Sequence, residues 1–524
     1  MGQMTAKIST VPAPTGGINA FDNLASMPKT DAIRLNNIIP QPYGCTVRKG
    51  YQRRNTGLGG PVESLSQWVS HAGAVKYFAF ADAKFFDITS TGVVGAPLIS
   101  GLLNDFWQGI GFANGAGPHT LLFNGADDGI WYSNSGVQRL TLGDGIVVGT
   151  WSGVAPQNII QATVHQRRVW GVEVDSTKGW YLPADSVYGV AESFDFGPQF
   201  KRGGYLTVLA TWTVDPGQGT NDYLVAVSSN GEAAVYAGID VTDPTDWHLV
   251  GVYFIGQPPR GRRFFCNVAG DLYFLTLTGV VSMATVVTST QVNVSANNTY
   301  SQKIAFLLSE LLTTLQDLEG WEIDFFPSEN LLIINVPTVF SGGNGQLVAN
   351  HITTSWCTFS GMDARCWNRA GGEPFFGDAD GNVNTALIGD KDGVLVDGTG
   401  GTNILGNGQQ AYSDFGGPTA QKQIGMYRLA FLGARPVGYA SMIAYDYSQI
   451  GPPSATGSGI SGASAHWDEA LWDASYWSGG LSVQRDWRSA QGMGTVMSIL
   501  VNTSTEAEAT WVSTDFTVRF GGPL

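Results

Sequence analysis

Charge is scarce in this 524-residue chain: Asp, Glu, Lys and Arg together make up 14% of it, against roughly 25% in ordinary soluble domains. A surface so poor in charge must be covered by Gly, Ser, Thr, Asn and Gln, or by other subunits. Basic residues are the scarcer sign, 28 against 43 acidic, for a net charge of −15. That balance argues against a broad basic face that grips nucleic acid by neutralising phosphates, though not against a wall past which DNA slides. Long apolar runs are missing too. No window approaches the ~18 residues a membrane helix needs, and the start MGQMTAKISTVPAPTGG lacks the apolar core of a secretory signal. Synthesis in the cytoplasm without stable membrane insertion is expected. The four cysteines, Cys45, Cys266, Cys357 and Cys366, include no CxxC pair, which predicts four reduced, mostly buried thiols.

The chemistry-bearing motifs are also absent. There is no HExxH, no GxxxxGK[ST] and no GxSxG, so metalloprotease, P-loop and hydrolase-elbow readings lose their usual support. GNGQQA from Gly406 has the form GxGxxA but reads as a Gly-rich loop. No enzyme activity and no cofactor are expected.

What the chain has in quantity is glycine, 69 residues, beside a 43% hydrophobic content. Short runs of Val, Ile, Phe, Tyr and Trp alternate with Gly, Asn and Asp turns, the pattern of strands and hairpins. Such hairpins begin near Val75, His119, Arg167, Asp222, Gly270, Leu331 and Pro374. Recurrence every 40 to 55 residues predicts an all-β fold, a β-propeller of six to seven blades; unrelated hairpins in a sandwich are the alternative. One segment departs from the pattern. Ile304, Leu307, Leu308, Leu311, Leu312, Leu315 and Leu318 recur at helical spacing and predict an amphipathic helix near 301–319, inserted between blades and stopped by Gly320. The expected domains are an N-terminal platform segment at 1–60, the propeller with its helical insertion at 61–420, and a smaller C-terminal β platform at 421–524.

Several residue groups are candidates for function. Asp378, Asp380 and Asn382 in GDADGNVN offer oxygen ligands for Ca²⁺, while a hairpin turn around Asp380-Gly381 explains the same letters. Trp467, Trp472 and Trp477 recur every five residues, a spacing that fits neither one helix face nor one strand face. They suit a protein interface or, with neighbouring carboxylates, a sugar-binding loop. Basic residues cluster at Arg48, Lys49, Arg53 and Arg54, at Arg167-Arg168, at Lys201-Arg202, and at Arg260, Arg262 and Arg263. The first group is a candidate subunit interface. The last is a candidate for contact with DNA in a channel, with solvated loops or salt bridges as the structural alternative.

The stretch Pro14 to Tyr51, PTGGINAFDNLASMPKTDAIRLNNIIPQPYGCTVRKGY, resembles the N-terminal signature of the tail nozzle or tail hub family of short-tailed bacteriophages, also called packaged-DNA stabilisation proteins. The resemblance rests on Gly16-Gly17-Ile18-Asn19, Met27-Pro28, Asp31-Ala32, Asn36-Asn37 and Arg48-Lys49-Gly50. TTSWCTFSGMDARCWN with FFGDADGNV, and the terminal WVSTDFTVRFGGPL, agree with it. It implies a non-catalytic virion tail protein, a propeller with a β platform assembled as a hexameric ring. Its partners would be a portal adaptor, genomic double-stranded DNA in the lumen, and tail spikes or fibres. A glycan-binding or glycan-hydrolysing propeller, acting through the Trp loop or a carboxylate pair, is the alternative function.

Overall fold

The computed structural model describes residues 7–214, 221–243, 245–288, 299–337, 345–434, 437–448, 451, 482–505 and 507–523. The chain is an all-β protein built on a β-propeller, with a smaller β platform and one inserted amphipathic helix.

Seven antiparallel units follow one another around the propeller. Blade 1 is Val62–Val69, Val75–Ala81, Lys84–Asp87 and Ile99–Ser100. Blade 2 runs from Gln108–Asn114 to Gly136–Leu142 and carries two short parallel strands beyond its edge. Blade 3 spans Ile159–His165 to Glu192–Asp195, and blade 4 spans Leu206–Val214 to His248–Phe254. Blade 5 has three strands, Phe265–Val268, Asp271–Thr276 and Gly279–Ser282. Blade 6 is Glu322–Phe326, Leu331–Val336, Gly345–Asn350 and Ser355–Phe359. Blade 7 takes Ala364–Ala370, Glu373–Asp378 and Val383–Ala386, and its fourth strand, Tyr51–Thr56, comes from the chain ahead of blade 1.

That borrowed strand closes the circle. Blade 7 packs back onto Val62–Val69 of blade 1, and Gly377 makes the seam tight: a Cβ there would sit 2.5 Å from the Val62 side chain. Local turn chemistry sets the hairpins. Asp82-Ala83 and Gln166-Arg167 both hold positive φ at adjacent positions, the two-residue turn whose twist matches the strands it joins. Aromatic residues fill the spaces between blades, as where Phe80 stacks on Trp107 at 4.9 Å.

The expected helix is present. A 3-10 turn at Gln302–Ile304 leads into α-helix Ala305–Leu315, which buries Ile304, Leu308 and Leu312. With a second short helix, Met283–Thr288, it packs on the last strand of blade 5, where the other blades have a fourth strand.

Both chain ends build the platform. Lys7–Pro12 and Gly44–Val47 pair with the C-terminal strand Ala509–Pro523, which pairs in turn with Ala420–Gly433. Ala32–Asn36 pairs with Gly400–Gln410, and that strand with Met497–Thr505. Strand pairing also runs on from blades 6 and 7 into the platform, through Asn36 beside Thr358 and through Lys391–Val394, which lies between Tyr51–Thr56 and Gly400–Gln410. Tyr51–Thr56 belongs to blade 7, and Gly400–Gln410 to the platform. GNGQQA lies in this last strand, so it is a paired strand and not a loop; Gly406 and Gly408 let it run over the side chains of Ile38 and Trp511. The four cysteines are buried free thiols, and burial pushes the Cys366 thiol up to about 12.

Candidate functional site

Two polar centres organise the molecule. The first is the joint where the N-terminal segment meets blade 6. Gly17 holds a φ of +74° with the Trp356 backbone against it, a conformation open to glycine and strained for other residues. Ile18 N–H then donates to the Trp356 carbonyl at 2.7 Å. Asp31 is buried; it accepts from Asn19 Nδ2 at 2.7 Å and from Lys303 Nζ at 3.0 Å. Arg48 is fully enclosed. Nη1 and Nη2 each reach one Asp392 oxygen at 2.7 Å, Nε donates to Asn37 Oδ1 at 2.8 Å, and Nη2 also donates to the Ser360 carbonyl at 2.7 Å. A forked guanidinium meeting a carboxylate this way is the strong, directional form of ion pair. Gly50 completes the motif, because a Cβ there would overlap the Lys391 carbonyl.

Arg48 is thus an internal rivet rather than a subunit contact, which corrects the interface reading for this residue. Arg54 is half-buried: its guanidinium lies over the rings of Tyr77 and Phe375, and Nη2 donates to the Thr89 carbonyl at 2.7 Å. Lys49 makes a surface pair with Glu329. Arg53 stands half-exposed on the closing strand, opposite Asn384. Trp467, Trp472 and Trp477 lie outside the described residues.

The second centre is at the propeller axis. Arg263, just ahead of blade 5, sends Nη2 to Ser64 Oγ of blade 1 at 2.6 Å and to the Trp107 carbonyl at 3.3 Å. Its Nη1 lies 3.5 Å from Glu322 Oε2 of blade 6, and that oxygen accepts the Trp367 N–H of blade 7. Arg365 pairs with Glu63 and Arg369 with Asp324 beside it. Burial is the largest influence on Glu322 and pushes its carboxyl up to about 7, although Arg263 opposes the shift.

Arg263 is therefore held by Ser64 of blade 1, by Trp107 ahead of blade 2 and by Glu322 of blade 6, and is only 18% exposed, so it is not free to meet phosphate; the DNA-channel reading fails for this residue. The loop ahead of it is packed in, with Pro258 and Pro259 buried. Arg260 stays at the surface with Nε on Glu319 at 2.8 Å, and Arg262 is half-buried.

At the tip of blade 7, the Asp378 carboxylate faces N–H donors. Oδ1 accepts from the Asp380 and Asn382 backbones, and Oδ2 accepts from the side-chain amides of Asn382 and Asn384. Donors so placed fix a turn and repel a cation, so the turn explains these residues and the Ca²⁺ reading does not. Among the described residues no group of three or more His, Cys, Asp or Glu side chains is placed to hold a metal. Sequence reasoning missed Asp392, Glu322, Ser64 and Glu63, which carry the two centres; each is an ordinary polar residue with a partner far away in the chain.

No protein-family model and no curated protein matches the chain. Solved structures similar to it come from different settings. The BBS1N domain crystallised with ARL6 is 10% identical, with a TM-score of 0.39 over 65% of this chain and 98% of that one. The β-propeller domain of Myceliophteria thermophila Cps50 (Swd1) is 10% identical, with a TM-score of 0.36 over 64% and 99%. The computationally designed Ika8 protein is 13% identical, with a TM-score of 0.33 over 68% and 96%. These scores are low, and the propeller assignment stands on the strand pairings themselves.

Proposed function

We propose that this chain is a non-catalytic structural protein of a short-tailed phage tail, forming a hexameric nozzle or hub ring below a portal adaptor. The ring would retain the packaged genome and conduct it during ejection. One observation carries the reading: the three separated stretches that resemble the nozzle family pack on one another. Ile18 bonds to Trp356, Asn37 Oδ1 accepts the Ser360 N–H, and Cys45 registers opposite Trp511. Residues far apart in sequence that form one joint behave as a unit of fold and assembly, and a platform made from both chain ends is a natural docking base for neighbouring copies.

Charge supports the same reading. A net −15 per copy makes a pore that repels DNA on average, so the genome slides without sticking. Electron microscopy with a mass measurement of the chain mixed with its portal adaptor tests the proposal. Rings with a central pore and six protomer masses support it. Compact monomers that ignore the adaptor contradict it.

A further inference from the structure

Beside the axis, between blade 4 and the helix Ala305–Leu315, lies an open hollow of about 450 Å³, within the roughly 300–1,000 Å³ range of small-ligand sites. The tip of blade 4 supplies Tyr205, Thr207 and Asn230, the loop before blade 5 supplies Gln257 and Arg260, and the segment after the helix supplies Asp317. Its frame is rigid: Arg260 N–H donates to the Gln316 carbonyl at 2.8 Å, Asn230 Nδ2 to the Arg202 carbonyl at 2.8 Å, and the two prolines of the loop are buried.

Three features describe what this hollow would take. Tyr205 is 44% exposed, an aromatic face at the mouth with an apolar body and a polar tip. Thr207 is 7% exposed and its hydroxyl has no partner among the described residues. Charges of both signs are present: among the described residues the Arg260 side chain bonds through Nε to Glu319, and Asp317 stands exposed beside it. Donors and acceptors are thus mixed, and Asp317 and Glu319 outweigh Arg260 by one negative charge.

We infer that this hollow is a binding site for an uncharged saccharide. Each hydroxyl of a pyranose both donates and accepts, so vicinal hydroxyls match a carboxylate, a guanidinium and carboxamides set side by side, while the apolar sugar face lies on Tyr205. An anionic ligand would meet Asp317 and Glu319 as well as Arg260. Duplex DNA is too broad to enter a hollow of this size. The site does not depend on ring formation.

The test uses the full chain on a microbial glycan array that holds neutral and acidic oligosaccharides, with immobilised duplex DNA as a further spot. Tyr205→Ala and Asp317→Asn change exposed side chains, and a thermal melt of each variant checks that it remains folded. The expected result is binding to at least one neutral glycan, reduced tenfold or more in both folded variants. No glycan binding, binding confined to acidic glycans or DNA, or neutral binding that survives both substitutions would overturn the inference. Because isolated chains suffice, a negative array leaves the ring proposal standing, and absent rings leave the array result standing.

Discussion

Arg48 and Asp392 meet through two parallel hydrogen bonds of 2.7 Å, with the arginine side chain wholly enclosed. They are 344 residues apart, so the pair locks the N-terminal segment to the hairpin that leaves blade 7. Breaking one side of a buried pair costs about 3–5 kcal/mol, because the other charge is left without compensation. Asp392→Asn and Arg48→Ala should each lower the unfolding free energy by about that amount in urea titrations. Arg48→Lys should not rescue it, since an ammonium cannot reproduce the fork.

Glu322 gives the axis a pH dependence. Its carboxyl is raised from 4.5 to about 7 in the folded chain, with burial as the leading cause. A carboxyl raised by folding is more stable in its protonated form there, so its contribution is fully present below about 4.5 and is lost as the pH climbs through about 7. Glu322→Gln imitates the protonated form. The stability of this variant relative to the natural chain should therefore rise between pH 4.5 and 7 and level off above, as measured by chemical denaturation across that range.

The closing strand predicts a sharp difference between two truncations. A chain starting at Tyr51 keeps the fourth strand of blade 7, whereas one starting at Pro61 opens the ring of blades at Val383–Ala386. Residues 51–386 should melt cooperatively with β-type circular dichroism. Residues 61–386 should lose that cooperativity.

Asp378 holds its turn without a cation. Asp378→Ala should cost about 1–3 kcal/mol, the penalty for leaving buried donors unpaired. Millimolar Ca²⁺ or EDTA should leave the melting temperature of the natural chain unchanged.

The hairpins were legible in the sequence because each is local. The seven runs from Val75 to Pro374 are the central hairpins of the seven blades, and the helix at Ile304–Leu315 follows its leucine spacing. Closure was not legible. Tyr51–Thr56 reads as a charged, polar segment, and only pairing with Val383–Ala386 makes it a blade strand. The same limit explains the arginines. Arg48 and Arg263 look like surface charge in a window of ten residues, yet Asp392, Ser64 and Glu322 take them inside from far along the chain.

Cryo-electron microscopy of the chain mixed with its portal adaptor decides whether copies close into a ring. Six-fold rings are expected, with the propellers at the periphery, the platforms forming the contacts and an open central pore. Particles that stay monomeric beside an intact adaptor, or that join through their propeller axes, would contradict that expectation.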